Sequence, residues 1–323
     1  MSGETVRARV RRTLPAKSLI RNIARKLLRS LQGRRDHVGF SGSILPPAEM
    51  RRCPDLIDDA CYLSSAEWQA RRLRDQFGCR PETRVLDVGC GPGRLATGIT
   101  RVLGRVEYTG NDVDRDAILW CKKHIEARHP TFKFHLLPVR NERYNPRGVD
   151  LTPGFQFDLP SGAFDLIHVY SVFTNMAERD MRIYLTDFRR LLADDGQVFF
   201  TAYAEDGVPP VTINPDGYIS RPCSGPLHAV RYERAHLLSL LGELGYAVEQ
   251  FDHRIEANGQ SAICLTRSRL NGRSTCAGVG HADAVVPAAA FAARPETVRT
   301  SDGRLSRSSK RPHIRADTRS RPR

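Results

Sequence analysis

The 323-residue sequence predicts an α/β fold in which a mostly parallel sheet is covered by helices on both faces. Three observations carry this. Short apolar runs alternate with helical patterns through the middle of the chain. The first of these runs ends in a turn with three closely spaced glycines that leads straight into a helix. The last two runs lie too close together for a parallel crossover, so they must pair antiparallel at one end of the sheet.

In order, "RVLDVG" (84–89) reads as the first strand and "RLATGITRVLG" as the helix behind it. "VEYTGND" (106–112) is a second strand, followed by the helix "RDAILWCKKHIEARH", and "FKFHLLPV" is a third strand. "FDLIHVYSVF" (164–173) gives a fourth strand, and "ERDMRIYLTDFRRLLA" an amphipathic helix ended by "DDG". "QVFFTAY" (197–203) is a fifth strand, and residues 204–232, with several Pro and Gly, read as an irregular insertion. After the helix "ERAHLLSLLGELG" come "YAVEQFD" and "SAICLTR", joined through Asn258-Gly259, a hairpin-turn pair.

Charge divides the chain into three. The net charge is +14, yet residues 1–35 hold eleven Lys/Arg against one acid, and residues 267–323 hold thirteen against four. The middle is slightly acidic. A nucleic-acid-binding module normally carries its basic surface on the folded part, so only the ends could supply one here. Residues 1–35 contain an amphipathic pattern (Leu19, Ile20, Ile23, Leu27, Leu28 and Leu31 against Arg21, Arg25, Lys26 and Arg29), which reads as a solvated basic helix, one lying on an anionic membrane, or an organelle-targeting helix. Residues 268–323, rich in Arg, Ser, Ala, Gly and Pro, are expected to be a disordered basic tail. Residues 36–267 form the folded domain. Eight cysteines are scattered without a Cys-x-x-Cys pair, and neither a signal peptide nor a run of about 18 apolar residues appears. The expectation is a cytoplasmic protein with reduced thiols and no metal, touching the membrane only peripherally if at all.

The loop "VLDVGCGPGRLA" (85–96) poses the question of its ligand. Glycines at a strand-to-helix turn let a ligand approach the backbone, with the helix N-terminus as a partial positive charge. A dinucleotide site needs G-x-G-x-x-G; Gly89 and Gly91 fit, but Arg94 stands at the third position and the glycine comes one residue early, at Gly93. Asp87 would repel a pyrophosphate but suits an ammonium group, unless it merely bonds the turn's own amides. Asp112, at the end of the second strand, stands where an acid can accept both hydroxyls of a ribose. A ligand with a ribose, an amine and no phosphate fits, and S-adenosyl-L-methionine has all three properties.

"VLDVGCGPGRLA", "YTGNDVD", "FDLIHVYSVFTNM" and the helix-"LADDG"-"QVFF" segment resemble successive motifs of class I S-adenosylmethionine-dependent methyltransferases, from about Gly39 to Arg267. "RYNPRG" and "SVFTNM" further resemble segments of bacterial members whose acceptors are largely small molecules or glycans. The resemblance implies a Rossmann-like, seven-stranded sheet of order 3-2-1-4-5-7-6 and the S-adenosyl-L-methionine cofactor. It implies that Asp87, Gly89, Cys90, Gly91 and Gly93 surround the methionine part, that Asp112 binds ribose and Val113 lies against adenine, and that Ser171 and Val172 line the cofactor near its methyl group. Relatives place an acid after the third strand for the adenine amine; here Pro138 stands there, leaving Asn141 or backbone amides. The His expected after "SVFT" is Asn175.

Methyl transfer from a sulfonium is an in-line displacement, so holding donor and acceptor at near-attack geometry supplies most of the catalysis. An oxygen acceptor needs help losing its proton, and His228 and Tyr170 are the candidate catalytic residues. His228 also fits a surface loop and Tyr170, with His168, a strand face turned to a covering helix. Glu205 and Asp206 follow the fifth strand at the ligand-binding edge, or are solvated loop acids. A cofactor-binding protein whose basic tails engage RNA or anionic membrane is the other reading, although no aromatic stacking platform supports RNA binding.

Overall fold

In the computed structural model the described residues are 36–51, 53–218 and 227–268. The amphipathic N-terminal segment and all of the C-terminal tail beyond Ser268 lie outside the described residues. A small antiparallel hairpin opens the fold, β1 (Val38–Phe40) and β2 (Ser43–Leu45). It leads through two short 3-10 turns to helix α1 (Asp59–Asp75), which the sequence reading passed over. Asp58 caps it by accepting the Cys61 N–H at 2.9 Å, and the buried set Leu63, Ala66, Ala70 and Leu73 gives it one apolar face.

The alternating pattern that follows builds the sheet: β3 (Arg84–Val88), α2 (Arg94–Val102), β4 (Glu107–Asp112), α3 (Arg115–Cys121), β5 (Phe132–Leu136), β6 (Phe164–Val169), α4 (Glu178–Leu191) and β7 (Leu192–Glu205). Then come β8 (Val211–Ile213), β9 (Val230–Glu233), α5 (Arg234–Glu243), β10 (Tyr246–Asp252) and β11 (Ser261–Arg267). The main sheet has the order β5-β4-β3-β6-β7-β11-β10. This is the expected seven-strand order, with β11 antiparallel to both of its neighbours. Asn258 and Gly259 turn the hairpin at φ of 60° and 75°.

Because parallel strands are covered twice, successive residues serve opposite cores. Leu86, Val88, Ile167, Val169, Val198 and Phe200 join α4 and α5 in one cluster. Val85, Tyr108, Leu166 and Phe199 join α1, α2 and α3 in the other. Asp87 and His168 alternate onto this second face, and Arg84–Asp165 pairing closes the strand starts at 2.6 Å. Among the described residues no helix is long and apolar enough to cross a membrane, and all six cysteines are free thiols.

Three local expectations change. Residues 204–232 are not wholly irregular, since β8 and most of β9 lie within them. β7 outruns its neighbours, whose pairing ends at Phe200 and Ala202, and β9 takes the edge left over, Tyr203–Glu205. Only the assembled sheet provides that edge. The "DDG" turn lies inside β7: pairing with β6 jumps from Leu192 to Gln197, so the intervening residues are looped out of the ladder. The helix expected over 115–129 stays α-helical only to Cys121 and then widens into a π-turn, Lys122–Glu126.

Helices α1 and α2 cross at Gly98, where a Cβ would stand 1.9 Å from the Ala66 carbonyl oxygen. Alanine would gain about 1 kcal/mol of helix propensity. The clash is with backbone, which cannot swing aside, and overpacking of this kind costs about 1–3 kcal/mol or more. Gly98→Ala is therefore expected to lower the urea midpoint; an unchanged or raised midpoint would contradict the close crossing.

Candidate cofactor and acceptor site

The carboxyl ends of β3, β4 and β6 meet at the glycine loop, where open α/β sheets bind ligands. Gly89, Gly91 and Gly93 all have positive φ, 75°, 53° and 75°. Their side-chain space differs. A Cβ on Gly89 would lie 2.3 Å from Val172 Cγ2, and one on Gly93 would lie 2.4 Å from Ile125 Cδ1. Gly91 faces open space, with nothing within 4 Å. The outer glycines thus make room for protein and the middle one keeps the surface clear.

Strand β4 holds the loop in place. Gly89 and Cys90 donate their N–H groups to the Asn111 carbonyl at 2.8 and 3.0 Å, and Gly91 donates to Asp112 Oδ2 at 2.7 Å. Asp112 Oδ1 accepts the Asp114 N–H at 2.8 Å. Each carboxylate oxygen retains a second lone pair, so the residue can still accept two hydroxyl groups. Burial raises the Asp112 pKa to about 6, against the pull of those two backbone N–H groups. The buried thiols of Cys90 and Cys121 both approach the Gly91 carbonyl at 3.5 Å, so Cys90 supports the loop from within.

Asp87 does not lie on the open side of the loop. It is 3 % exposed, and its oxygens accept from Tyr108 Oη at 2.6 Å and pair with His168 Nδ1 at 2.9 Å. These two contacts let Asp87 brace β3 against its two neighbours. Val113 and Val172 are half-buried against the core shared with α4 and α5. Asn141 spends its side-chain carbonyl on the Arg143 and Tyr144 N–H groups, both at 3.0 Å, which closes a local turn instead of offering an acceptor to adenine.

Beyond β6, Ser171 sits at φ 58°, a conformation that costs a non-glycine residue about 1 kcal/mol. Its N–H donates to Thr201 Oγ1 at 2.8 Å, and its hydroxyl donates to Gln260 Oε1 at 2.9 Å. Tyr170 donates its hydroxyl to Glu256 Oε2 at 3.0 Å, while Arg72 pairs with the other Glu256 oxygen. The Arg94 guanidinium lies 5.1 Å from the Tyr170 ring and donates to Ser65 Oγ at 2.8 Å. Burial, then the Glu256 charge, pushes the Tyr170 phenol well above its usual range, so it stays protonated and does not serve as a base at neutral pH. Arg72, Glu256 and Gln260 were missed in the sequence, where nothing in "HRIEANGQ" marks Glu256 as buried beneath a strand end.

The other sequence candidates fall outside this cluster. His228 Nδ1 stands 2.8 Å from Arg143 Nη1, which joins its loop to the turn at Asn141. Asn175, in place of the expected His, donates to the Ser171 carbonyl at 3.2 Å and to Thr174 Oγ1 at 2.8 Å, holding the turn. Glu205 accepts from Tyr218 Oη and Arg254 Nη1 at 2.7 and 3.0 Å, and Asp206 pairs with Arg234 at 3.3 Å. A cleft of about 300 Å³ lined by Phe77, Cys79, Thr83, Asp165 and Gln197 opens at the opposite, amino-terminal edge of the sheet, away from the glycine loop.

Residues 86–198 match the family described as a methyltransferase domain, and this part of the chain is a methyltransferase domain of the class I, S-adenosylmethionine-dependent type. A fatty-acid O-methyltransferase of Mycolicibacterium smegmatis is 27 % identical over 118 residues, 36 % of each chain. An uncharacterised protein of Methanocaldococcus jannaschii is 35 % identical over 57 residues, 18 % of this chain and 26 % of its own. The matched stretches thus span well under half of both curated relatives. Among solved structures, the PH0226 protein of Pyrococcus horikoshii resembles the chain with a TM-score of 0.46 at 15 % identity, over 71 % of this chain and all of its own. A magnesium protoporphyrin IX methyltransferase of Synechocystis gives 0.45 at 12 % identity, over 78 % of this chain and all of its own.

A ribose that needs the ionised form of Asp112 binds less well once that group is protonated. Since the pKa lies near 6, the apparent affinity for S-adenosylhomocysteine should fall about tenfold between about pH 7.5 and about pH 5. Calorimetry showing constant affinity across that window would rule out a charge-dependent contact at Asp112.

Proposed function

We propose that the protein transfers a methyl group from S-adenosyl-L-methionine to an oxygen atom of a small-molecule acceptor that is acidic or anionic. The observation that carries the donor is the Gly91 turn, open on its outer side and tied by its own N–H to the carboxylate of Asp112. The cofactor supplies an electrophilic methyl group on a sulfonium. In this reading Gly91 lets the cofactor reach the backbone, Asp112 orients its ribose, and Val172 packs beneath the loop.

The acceptor side is argued from charge. Arg72 and Arg94 flank Tyr170, and Arg72 Nη1 is buried with no hydrogen-bond partner among the described residues. Arg72 is paired with Glu256, so the Arg94 guanidinium is the positive group beside the protonated phenol that suits an acceptor arriving as an anion or ionising readily. A carboxylate is already ionised at neutral pH and needs no general base, which fits a site whose tyrosine is held protonated. The name of the Mycolicibacterium relative points to the same class of acceptor, whereas a glycan hydroxyl would need a base. The basic terminal segments, 1–35 and 268–323, are accessory in this reading.

Asp112→Ala should weaken cofactor binding at least tenfold, about 1.4 kcal/mol, by removing paired charge-assisted hydrogen bonds. Wild-type affinity measured by calorimetry would remove Asp112 from the ribose site. Labelled cofactor offered separately with fatty acids, phenols, sugars and RNA should mark the first two classes, with or without the terminal segments. Transfer confined to RNA and lost on removing those segments would replace this reading with the tail-driven one.

A further inference from the structure

The first two described residues, Asp36 and His37, lie beside the π-turn that follows α3. With His124 they bring a carboxylate and two imidazoles together, the three ligand atoms all within 4.8 Å of one another. Asp36 Oδ1 is 3.1 Å from His37 Nδ1, and Oδ2 is 2.9 Å from His124 Nε2. Ligand atoms around a tetrahedral zinc ion with bonds of about 2.0–2.1 Å stand about 3.3 Å apart, and each imidazole lies near that distance from one of the two Asp36 oxygens.

The backbone bears out a special arrangement at this point. Consecutive residues of an α-helix do not face a common partner. Here the π-turn brings both Lys123 Nζ and His124 Nε2 to the same oxygen, Asp36 Oδ2. Such turns are rare and occur mostly at functional sites. His124 is 5 % exposed, stacks on Trp120 with ring centroids 5.0 Å apart, and has its Nδ1 buried without a partner among the described residues. Trp120 Nε1 in turn donates to the Asp36 carbonyl at 2.6 Å, which anchors the chain where Asp36 enters. Burying an imidazole with one nitrogen unpaired is costly unless the other gains more than a hydrogen bond.

We propose that Asp36, His37 and His124 form a binding site for a divalent transition metal, with zinc as the best fit, which ties the segment before β1 to the end of α3. Two imidazoles and one carboxylate suit zinc, whereas magnesium and calcium prefer oxygen donors alone. Lys123 is the competitor for Asp36. Its side chain is 67 % exposed, so its ammonium can swing into water when an ion takes its place.

The test uses the full chain, treated with chelator and titrated with zinc chloride by calorimetry, and with cobalt(II) by visible absorption. One zinc per chain is expected at this site, with visible cobalt bands of a low-coordinate nitrogen-oxygen site. His37 is partly exposed, so His37→Ala should fold normally and weaken that binding at least about tenfold, as should Asp36→Asn. Lys123→Ala should tighten it. Melting temperature should rise with zinc in the wild type and not in His37→Ala. Absence of saturable zinc uptake, or uptake and cobalt bands equal in wild type, His37→Ala and Asp36→Asn, would overturn the site. Neither result bears on methyl transfer, which labelled cofactor reads separately.

Discussion

The hydrogen bonds that tie the glycine loop to the end of β4 are the constraint on which the site depends. Gly89, Cys90 and Gly91 hand three successive N–H groups to Asn111 and Asp112. Parallel pairing puts those acceptors in reach, since Val88 lies opposite Asn111 in the register of β3 and β4. In the proposed reading the same carboxylate that holds the loop also orients the ribose, so loop shape and ligand recognition would share a single side chain, whose pKa burial raises to about 6.

Beneath the loop, polar groups do structural work that a parallel sheet usually leaves to apolar ones. Asp87 is held by Tyr108 and His168 on the two flanking strands, one contact to each oxygen, so a carboxyl group is buried with both oxygens hydrogen-bonded. Just past the end of β6, Tyr170 and Ser171, with Thr201 of β7, are joined to Glu256 and Gln260 from the β10–β11 hairpin. That hairpin reaches the carboxyl edge because β11 runs antiparallel to β7. The strand order thus supplies this polar cluster at the carboxyl edge as well as the sheet.

Much of the site was legible in the sequence because the loop chemistry is local. Glycine spacing, Asp112 and the order of alternating elements all lie in short stretches with fixed backbone requirements. Asp87, Asn141 and His228 were legible as residues but not as roles. Each has a protein partner that comes from elsewhere in the chain or from a turn, and only the folded chain shows that this partner is present. Tyr170 changes similarly: its position at the strand end is local, but the burial and, after it, the Glu256 charge that push its phenol upward come from the folded chain, Glu256 lying between β10 and β11.

By itself the sequence determined the seven-strand sheet, its antiparallel end and the glycine turn, because hydrophobic period and backbone conformation are properties of neighbouring residues. Tertiary structure decided which glycine faces open space, since Val172 and Ile125 crowd the other two from distant elements. It also decided that β9 would pair at all, because the free edge of β7 exists only after β6 and β11 have ended. The Asp36, His37 and His124 cluster belongs to the same category. Its members are separated by nearly ninety residues in the chain, and a π-turn that no periodicity announces brings them together.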